Sequence, residues 1–423
     1  MKYNVALLHY SCPPVVGGVE EIIRQHAFLL SRYYHNVKVF VGDGGQFSDN
    51  IEIETNPLLG SRNRQGMNAH QSGVKGKPEK MEVLTGKIYE YLRDSLKGFD
   101  VLIAHNVLSM PFNLPLSAAL HLIGQEGLIP IVSWNHDSPY FYPDYPAHLD
   151  RFPWNILKRA YAGIYYVVIS ESRKEMFADL YGGRKKLYVI PNGIDPIHFF
   201  RLDPSTVRLI QEQCLFEAEF LMVQPSRLHR RKNMELSIRV TRALHDLGLK
   251  ARLLITGAHD PHEPKNLGYY YELKNLAATL GIENDVLIMA EYAFRSGEKI
   301  MADHITIRDL YLISDILFLP SFKEGFGIPL LESGMIKLPI VCSNIPPFLE
   351  IGDEDVCLFD LVETPERIAQ RILEFVEGLK PYKMFRKVIR RYVWDNIYHE
   401  KLLPLLDNVI GAYRKSNDRA LKS

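Results

Sequence analysis

Short apolar runs separated by amphipathic stretches recur along the chain. In the first half these runs fall at residues 3–10, 38–41, 101–104, 131–134, 165–169 and 187–190. Apolar residues at helical spacing follow the first run over 19–31, and a second helical pattern covers 81–97. Strands that alternate with helices are typical of a doubly wound parallel sheet. We therefore predict an α/β domain over this half of the chain.

The same alternation restarts at residue 220. Further apolar runs lie at 220–224, 251–256, 286–289, 316–320, 339–342 and 356–359. The chain is then mainly helical from 365 to about 414. Because 423 residues exceed what one core usually organises, we predict two α/β domains. The polar segment 60–80 shows no periodicity and is interpreted as a mobile loop or a flap.

Composition mainly excludes classes of protein. The formal net charge is +0, so nucleic-acid binding that depends on neutralising phosphates is not expected. The cysteines are widely separated, which suits a reducing compartment and offers no zinc site: Cys12, Cys214, Cys342 and Cys357.

We expect a cytoplasmic protein, because the sequence shows neither a secretory signal nor a membrane span. The first residues lack the pattern of a secretory signal, and no apolar run approaches the ~20 residues of a membrane span. The basic residues at 386–387 and 390–391 are interpreted as a solvated face, so peripheral membrane contact is not favoured.

One stretch carries most of the candidate chemistry. The apolar run at 316–320 leads through glycines into a helix start, where backbone N–H groups without partners favour an anion. Gly325 and Gly327 let the backbone approach a phosphate closely. Glu324 and Glu332 flank this turn, and carboxylates bind hydroxyls rather than phosphates. A ligand with sugar hydroxyls on both sides of a phosphate is a nucleotide sugar, whereas the simpler interpretation is a structural corner with a surface glutamate.

The string from Glu324 to Glu332, with Gly-Phe-Gly between the two carboxylates, resembles the signature of glycosyltransferase family 4. The resemblance implies the GT-B fold: two Rossmann-like, doubly wound parallel-sheet domains with a cleft between them. It also implies a final helix that crosses back to the first domain, with Trp394 as its packing anchor. The turn at 191–195 resembles the family's interdomain linker. The domains implied are 1–195 on the acceptor side, 196–385 for the nucleotide sugar, and a crossover segment, 386–423.

Site residues follow from the resemblance. Glu324 is implied to contact the donor sugar and Glu332 the ribose. Arg227 and Lys232 resemble the pair that holds the diphosphate, although Arg230 and Arg231 leave the register of the lysine ambiguous. The backbone N–H groups expected to face the departing phosphate belong to Phe326, Gly327 and Ile328, and Gly325 is implied to contact the donor as well.

The first domain supplies a smaller set of implied contacts. Gly17 and Gly18 resemble the family's glycine pair that faces the diphosphate and the acceptor. His136 follows an apolar run at the position where the family contacts the donor hexose near the reaction centre. His105 and Asp137 are weaker candidates for acceptor contacts.

The sequence therefore predicts a retaining hexosyltransferase that uses a nucleotide-diphosphate sugar, UDP-glucose or GDP-mannose by family frequency. The acceptor is expected to be a small soluble or sugar-containing alcohol. Three alternatives stay open: a retaining glycoside hydrolase, a GT-B-fold nucleotide-sugar epimerase, and a non-catalytic nucleotide-sugar binder. The hydrolase is disfavoured, because it needs two carboxyls about 5–5.5 Å apart and no basic diphosphate site.

No cofactor is expected to be required. The loop around 259–263 contains His259, Asp260, His262 and Glu263, which could hold a divalent ion, but it lacks metal-ligand spacing. Stimulation by a divalent metal thus stays open, as do the acceptor, the linkage and the oligomeric state.

Overall fold

The computed structural model describes residues 2–183, 186–257, 267–300 and 302–420. The chain divides into two compact units. Unit 1 comprises Met1–Asp195 together with Arg391–Ser423, and unit 2 comprises Pro196–Arg390. The resemblance implied a second division at 385, and the compact units divide five residues later, at Arg390.

Unit 1 contains a seven-stranded sheet in which every neighbouring pair is parallel. Its strands are β1 (Asn4–Leu8), β2 (Asn36–Val41), β3 (Glu52–Thr55), β4 (Val101–His105), β5 (Ile131–Asn135), β6 (Ile164–Val168) and β7 (Leu187–Val189). They are ordered β3-β2-β1-β4-β5-β6-β7, so the strand order reverses between β1 and β4. In such sheets ligands bind at the carboxyl ends of the strands near this reversal.

Helices connect these strands and cover the sheet. They are α1 (Gly18–Arg32), α2 (Arg64–Val74), α3 (Glu79–Ser95), α4 (Leu114–Glu126) and α5 (Glu171–Leu180). Every residue of β4 and every residue of β1 except Asn4 is buried, as expected of central strands in a parallel sheet.

The prediction of a loop or flap at 60–80 is wrong, because α2 forms there. Asn63 caps this helix, since its side chain accepts a hydrogen bond from the N–H of Gly66. Only Ala69 and Gly73 are buried along it, which explains why the sequence shows no apolar stripe. Gly73 lies against Trp154, and a Cβ there would come within 3.1 Å of the indole.

Unit 2 contains a six-stranded parallel sheet in the order β10-β9-β8-β11-β12-β13. The strands are β8 (Phe220–Gln224), β9 (Ala251–Ile255), β10 (Val286–Ile288), β11 (Ile316–Leu319), β12 (Ile340–Ser343) and β13 (Cys357–Phe359). The order reverses between β8 and β11, as it does between β1 and β4. Two doubly wound parallel sheets confirm the predicted α/β fold class.

The helices of unit 2 run from α6 to α14, and the last residue of α14, Arg391, is the first of the C-terminal part of unit 1. They are α6 (Pro196–Phe200), α7 (Pro204–Gln213), α8 (Met234–Asp246), α9 (Leu267–Thr279), α10 (His304–Ile313), α11 (Ile328–Ile336), α12 (Pro346–Gly352), α13 (Pro365–Gly378) and α14 (Lys380–Arg391). Across the parts of the chain that are described, no helix combines the length and the apolar character needed to cross a bilayer.

The C-terminal segment belongs to unit 1. It contains α15 (Trp394–Ile397) and α16 (Leu403–Ala420), joined by a π-helical turn. Trp394 is 1% exposed, and its ring lies 4.7 Å from that of His26 on α1. The backbone N–H of Ile194 donates to the carbonyl of Tyr392 at 2.7 Å, which ties the segment to the end of the first 195 residues.

Candidate active site

The loop from β11 to α11 carries the two carboxylates and the glycines. Gly327 caps α11 with φ +119°, a conformation that L side chains rarely adopt. A Cβ at this position would also come within 3.3 Å of the Phe348 ring. Gly325 is exposed and has open space where a Cβ would lie. Glycine is therefore required at 327 by local geometry, whereas 325 provides access.

This loop presents free backbone donors. Among the described residues, none accepts a hydrogen bond from the N–H groups of Phe326, Gly327 or Ile328. The side chains of Phe326 and Ile328 are 57% and 59% exposed, so the turn is open to solvent. Because these N–H groups stand at the positive end of a helix dipole, they form a ready site for a phosphate.

Glu324 meets the basic loop that follows β8. Lys232 Nζ lies 2.5 Å from Glu324 Oε1, and Ser321 Oγ donates to the same oxygen at 2.8 Å. Arg231 approaches the other carboxylate oxygen at 3.4 Å. The side chains of Lys232 and Glu324 are 14% and 11% exposed, whereas Arg231 is 46% exposed. Two residues that lie 92 positions apart in the chain are thus brought into one ion pair.

The remaining arginines of the basic loop have different surroundings. Arg230 donates to Glu272 at 2.6 Å, and its guanidinium lies 4.8 Å from the centre of the Tyr269 ring. It therefore faces α9 rather than Glu324. Arg227 is exposed on the same loop, five residues before Lys232.

A buried glutamine fixes the backbone under Lys232. Gln224, the last residue of β8, is 0% exposed and donates through Nε2 to the carbonyl of Lys232 at 2.9 Å. Its oxygen accepts from Ser237 at 2.7 Å. The N–H of Phe322 donates to the carbonyl of Arg231 at 2.8 Å, which joins the two loops through their backbones. Sequence reasoning missed Gln224, because it ends an apolar strand and carries no motif.

Glu332 lies on the second turn of α11, away from this ion pair. Tyr311 of α10 donates to Glu332 Oε2 at 2.9 Å. Burial, together with this hydrogen bond to a carboxylate, raises the pKa of Tyr311 well above its usual value. Tyr311 was also missed by sequence reasoning, and it holds the glutamate in one orientation.

In unit 1 the glycine pair lies at the start of α1. A Cβ on Gly17 would come within 2.1 Å of the Glu20 carboxylate, which folds back over the turn. Ser11 Oγ donates to Glu20 at 2.7 Å, and His9 Nε2 lies 3.9 Å from the same carboxylate oxygen. Gly18 is exposed, with nothing near its Cβ position. The first glycine thus makes room for Glu20, and only the second is open to a ligand.

Histidines gather at the carboxyl ends of β1, β4 and β5. His9 Nδ1 donates to the carbonyl of His105 at 2.7 Å, and His105 Nδ1 lies 3.4 Å from His136 Nε2. Asn192 Nδ2 lies 3.4 Å from His136 Nδ1. Because an amide NH₂ can only donate, this contact makes Nδ1 of His136 the acceptor and leaves its Nε2–H to donate to His105. The Nε2 of His105 then carries a proton, and among the described residues it has no partner.

These histidines are neutral. Burial lowers the pKa of His136 and of His26 to about 3 each, and it lowers that of His105 well below the usual range. The pKa of His9 is lowered for the same reason, against the raising effect of Glu20. Sequence reasoning missed His9 and His26, since a single histidine in a strand end or helix carries no spacing signal.

The predicted acceptor contacts differ in how they are placed. His105 is 0% exposed, so the prediction that it touches an acceptor directly is at odds with its burial; its side chain supports His136 instead. His136 is 8% exposed. Asn106, with φ +59°, accepts from the backbone N–H groups of His136 and Asp137 at 2.8 and 3.1 Å. The Asp137 carboxylate pairs with Arg173 at 3.2 Å.

The loop with His259, Asp260, His262 and Glu263 lies outside the described residues. In the part of the chain that is described, no group of three or more His, Cys, Asp or Glu side chains has an arrangement that could hold a metal ion.

Both halves of the chain match glycosyltransferase family models. The family model for glycosyl transferases group 1 matches residues 208–392, and the model for glycosyltransferase family 4 matches residues 16–197. Over 417 residues the chain is 23% identical to a mannosylglucosylglycerate synthase of Thermotoga maritima, and the match covers 89% of this chain and 91% of that protein.

Two further similarities are more limited. An uncharacterized glycosyltransferase of Methanocaldococcus jannaschii is 25% identical over 249 residues, which are 57% of this chain and 59% of that relative, less than two thirds of its length. The solved sucrose-phosphate synthase of Thermosynechococcus elongatus is 15% identical, with a TM-score of 0.41 over 97% of this chain and 100% of that one. Since the two family models together span most of a chain built from two doubly wound parallel sheets, the protein belongs to the GT4-type glycosyltransferases of GT-B fold, enzymes that use nucleotide sugars.

Proposed function

We propose that this enzyme is a retaining hexosyltransferase that moves mannose from GDP-mannose to the hydroxyl of a small glycoside. The observation that carries the proposal is the juxtaposition in unit 2 of Lys232, Glu324 and the free N–H groups that begin α11. A cation and backbone donors beside a carboxylate fit a ligand that carries both a diphosphate and sugar hydroxyls.

Each group has a distinct part in the proposed reaction. Lys232 and the N–H groups of Phe326, Gly327 and Ile328 offset the negative charge that grows on the diphosphate as the glycosidic bond breaks. Preorganised donors of this kind are each worth roughly 3–4 kcal/mol of barrier. Glu324 accepts hydrogen bonds from donor-sugar hydroxyls, and Glu332, held by Tyr311, accepts from the ribose.

Retention is proposed to follow from a same-face mechanism. The acceptor oxygen attacks the anomeric carbon on the face from which the diphosphate departs, and the departing phosphate oxygen takes the acceptor proton. This mechanism needs no enzymic nucleophile. The neutral state of His136 suits a group that hydrogen-bonds to a sugar hydroxyl rather than one that carries charge.

The choice of mannose and of a glycoside acceptor is supported by the relative that matches nearly the whole chain. Its name, mannosylglucosylglycerate synthase, identifies a product in which mannose is joined to glucosylglycerate. We therefore place GDP-mannose ahead of UDP-glucose and glucosylglycerate first among acceptors.

The test combines a donor screen with product analysis. The purified chain is incubated with GDP-mannose or UDP-glucose and with glucosylglycerate, and products are resolved by mass spectrometry and proton NMR. We expect transfer from GDP-mannose, an α-linkage, and undiminished turnover in EDTA. Transfer only from UDP-glucose would overturn the donor assignment, a β-linked product would overturn retention, and loss of activity in EDTA with rescue by magnesium would overturn metal independence.

A further inference from the structure

Helix α14 carries a much higher density of positive charge than the chain as a whole. Its sequence, Lys-Pro-Tyr-Lys-Met-Phe-Arg-Lys-Val-Ile-Arg-Arg, holds six of the 50 basic residues and none of the 50 acidic ones. Because the formal net charge of the chain is +0, the rest of the protein is net acidic by six. The positive charge of α14 is therefore a property of this helix and not of the chain as a whole.

The cations form one exposed face. Lys380, Lys383, Lys387 and Arg391 follow one another at spacings of three or four, which places them on the same side of a helix. All four are exposed, and none of them has an ion-pair partner within the described parts of the chain. Met384 lies within this face and is 56% exposed. We call Lys380, Lys383, Met384, Lys387 and Arg391 the cationic face.

The opposite side fixes the helix to unit 2. Ile389 is 7% exposed, and Arg386 is buried with both oxygens of Asp315 within 3.1 Å of its Nη1. The expectation that residues 386–387 together form a solvated face is therefore wrong for Arg386. Arg390 donates to the carbonyl of Glu219 at 3.2 Å. Since these contacts hold the helix in one orientation, the cationic face is presented as a rigid strip about 18 Å long.

We propose that the cationic face docks the enzyme on a bilayer rich in anionic phospholipids. A bilayer surface offers phosphate headgroups above an apolar layer, which matches a face of lysines and arginine with an exposed methionine among them. A nucleic acid would match the charge but not Met384. The rest of the chain is net acidic by six, so it offers no general attraction to a polyanion that extends beyond a strip of this length. The docking is peripheral and reversible, and it does not depend on the identity of the donor sugar.

The test uses the full-length chain in vesicle co-sedimentation. Wild type is expected to bind vesicles that contain both phosphatidylglycerol and phosphatidylcholine and not to bind vesicles of phosphatidylcholine alone. It should dissociate from the anionic vesicles as the salt concentration is raised. Each lysine near an anionic surface contributes about a five-fold change in partitioning. Lys383→Glu combined with Lys387→Glu should therefore lower partitioning by about 25-fold or more, and Met384→Ser should lower it by a few-fold.

The matched control reverses two lysines elsewhere. Lys80 and Lys87 are exposed on α3, so Lys80→Glu combined with Lys87→Glu changes the net charge by the same amount and should leave partitioning at the wild-type level. Circular dichroism checks that each variant is folded. If the double variant of α14 does not fold, Met384→Ser still tests the proposal. Absence of wild-type binding, equal loss in the two double variants, or tighter binding to single-stranded RNA than to anionic vesicles would overturn the proposal.

Discussion

Lys232 is distinguished from the other basic residues of its loop by the side chain that it contacts. Lys232 contacts Glu324, whereas Arg230 is engaged by Glu272 on α9. Lys232→Ala should lower kcat by about 10²-fold, because it removes a cation from the departing diphosphate. Arg230→Ala is the matched control and should retain near-normal turnover in a steady-state assay. Greater damage from Arg230→Ala than from Lys232→Ala would contradict this assignment.

Glu324 and Glu332 should be separable by ligand. Glu332→Ala removes the proposed ribose contact and should weaken binding of free GDP by roughly 1.5–3 kcal/mol in calorimetry. Glu324→Ala should leave the affinity for free GDP nearly intact and instead depress turnover, because its proposed partners are on the sugar. Equal losses of GDP affinity in both variants would show that the two carboxylates do not divide the ligand between them.

His26 gives a pH prediction at the same scale. Both of its ring nitrogens are buried without a partner among the described residues, and its pKa is lowered from 6.5 to about 3. The unfolded chain thus binds the proton first as pH falls. The stability that this residue contributes is complete above pH 6.5 and is lost at roughly 1.4 kcal/mol per pH unit as pH falls toward 3.

His26→Phe should therefore make the melting temperature less sensitive to acid. The phenyl ring has no nitrogen to leave unpaired between Trp134 and Trp394, whose rings lie 4.5 and 4.7 Å away. We expect equal or higher thermal stability near pH 7 and a shallower decline between pH 6 and 4. An unchanged slope with a lower melting temperature would mean that ring size, not titration, matters at this position.

Some site residues are marked by their neighbours in the sequence, and others are not. Glu324, Glu332 and Lys232 are marked in the sequence by glycines, spacing or a basic run. No such mark accompanies Gln224, Tyr311 and Asn106. Each acts through a hydrogen bond to a residue that comes near it only when the chain folds. Tyr311, for example, meets Glu332 across 21 positions, and His9 meets His105 across 96.

At the scale of elements, strands with continuous apolar runs were predictable and weakly patterned elements were not. β8 was predicted at its observed bounds, since five successive residues of it are buried. β3 was missed, because none of its four residues is fully buried at the edge of the sheet. α2 was missed for a related reason: its helix is set by a capping asparagine and by contacts with α3, which local periodicity does not contain.

A glycine after β9 supports the loop that carries Arg227. A Cβ on Gly257 would lie 1.5 Å from the carbonyl oxygen of Ser226 and 2.6 Å from the Cα of Arg227, both backbone atoms. Gly257→Ala should displace this loop, lower the melting temperature and reduce donor turnover. Gly86→Ala is the contrast: Gly86 is exposed within α3 with open space at its Cβ, so alanine should stabilise the chain by about 0.5–1 kcal/mol. Similar melting temperatures for the two variants would contradict the close approach at Gly257.

At the scale of the molecule, the alternation of strands and helices was enough to predict two doubly wound domains. The turn at 191–195 coincides with the end of the first part of unit 1 at Asp195. What the pattern could not give is the membership of the last residues. The resemblance to family 4, rather than the alternation, implied that the final segment returns to the first domain with Trp394 as its packing anchor. Arg391–Ser423 belong to unit 1, where the Trp394 ring lies against that of His26.

Unit 1 contains the tryptophan reporters of the chain, and unit 2 contains a buried ion pair. Trp134, Trp154 and Trp394 are the three tryptophans of the chain, and all lie in unit 1, so tryptophan fluorescence follows that unit. In unit 2, Asp315 pairs with Arg386, and both are buried. Burial raises the pKa of Asp315 to about 6 despite the lowering effect of Arg386, so the carboxylate is still mainly ionised at neutral pH.

Asp315→Asn should destabilise unit 2 strongly, because it leaves the Arg386 guanidinium buried without a counter-charge, a change that typically costs about 3–5 kcal/mol. Urea unfolding followed by far-UV circular dichroism should show a lower midpoint, and tryptophan fluorescence on the same samples records the response of unit 1. Asp246→Asn is the matched control, since Asp246 pairs with Arg242 at the surface and such exposed pairs contribute little. A midpoint for Asp315→Asn that matches that of the control would show that the buried pair adds nothing to the stability of unit 2.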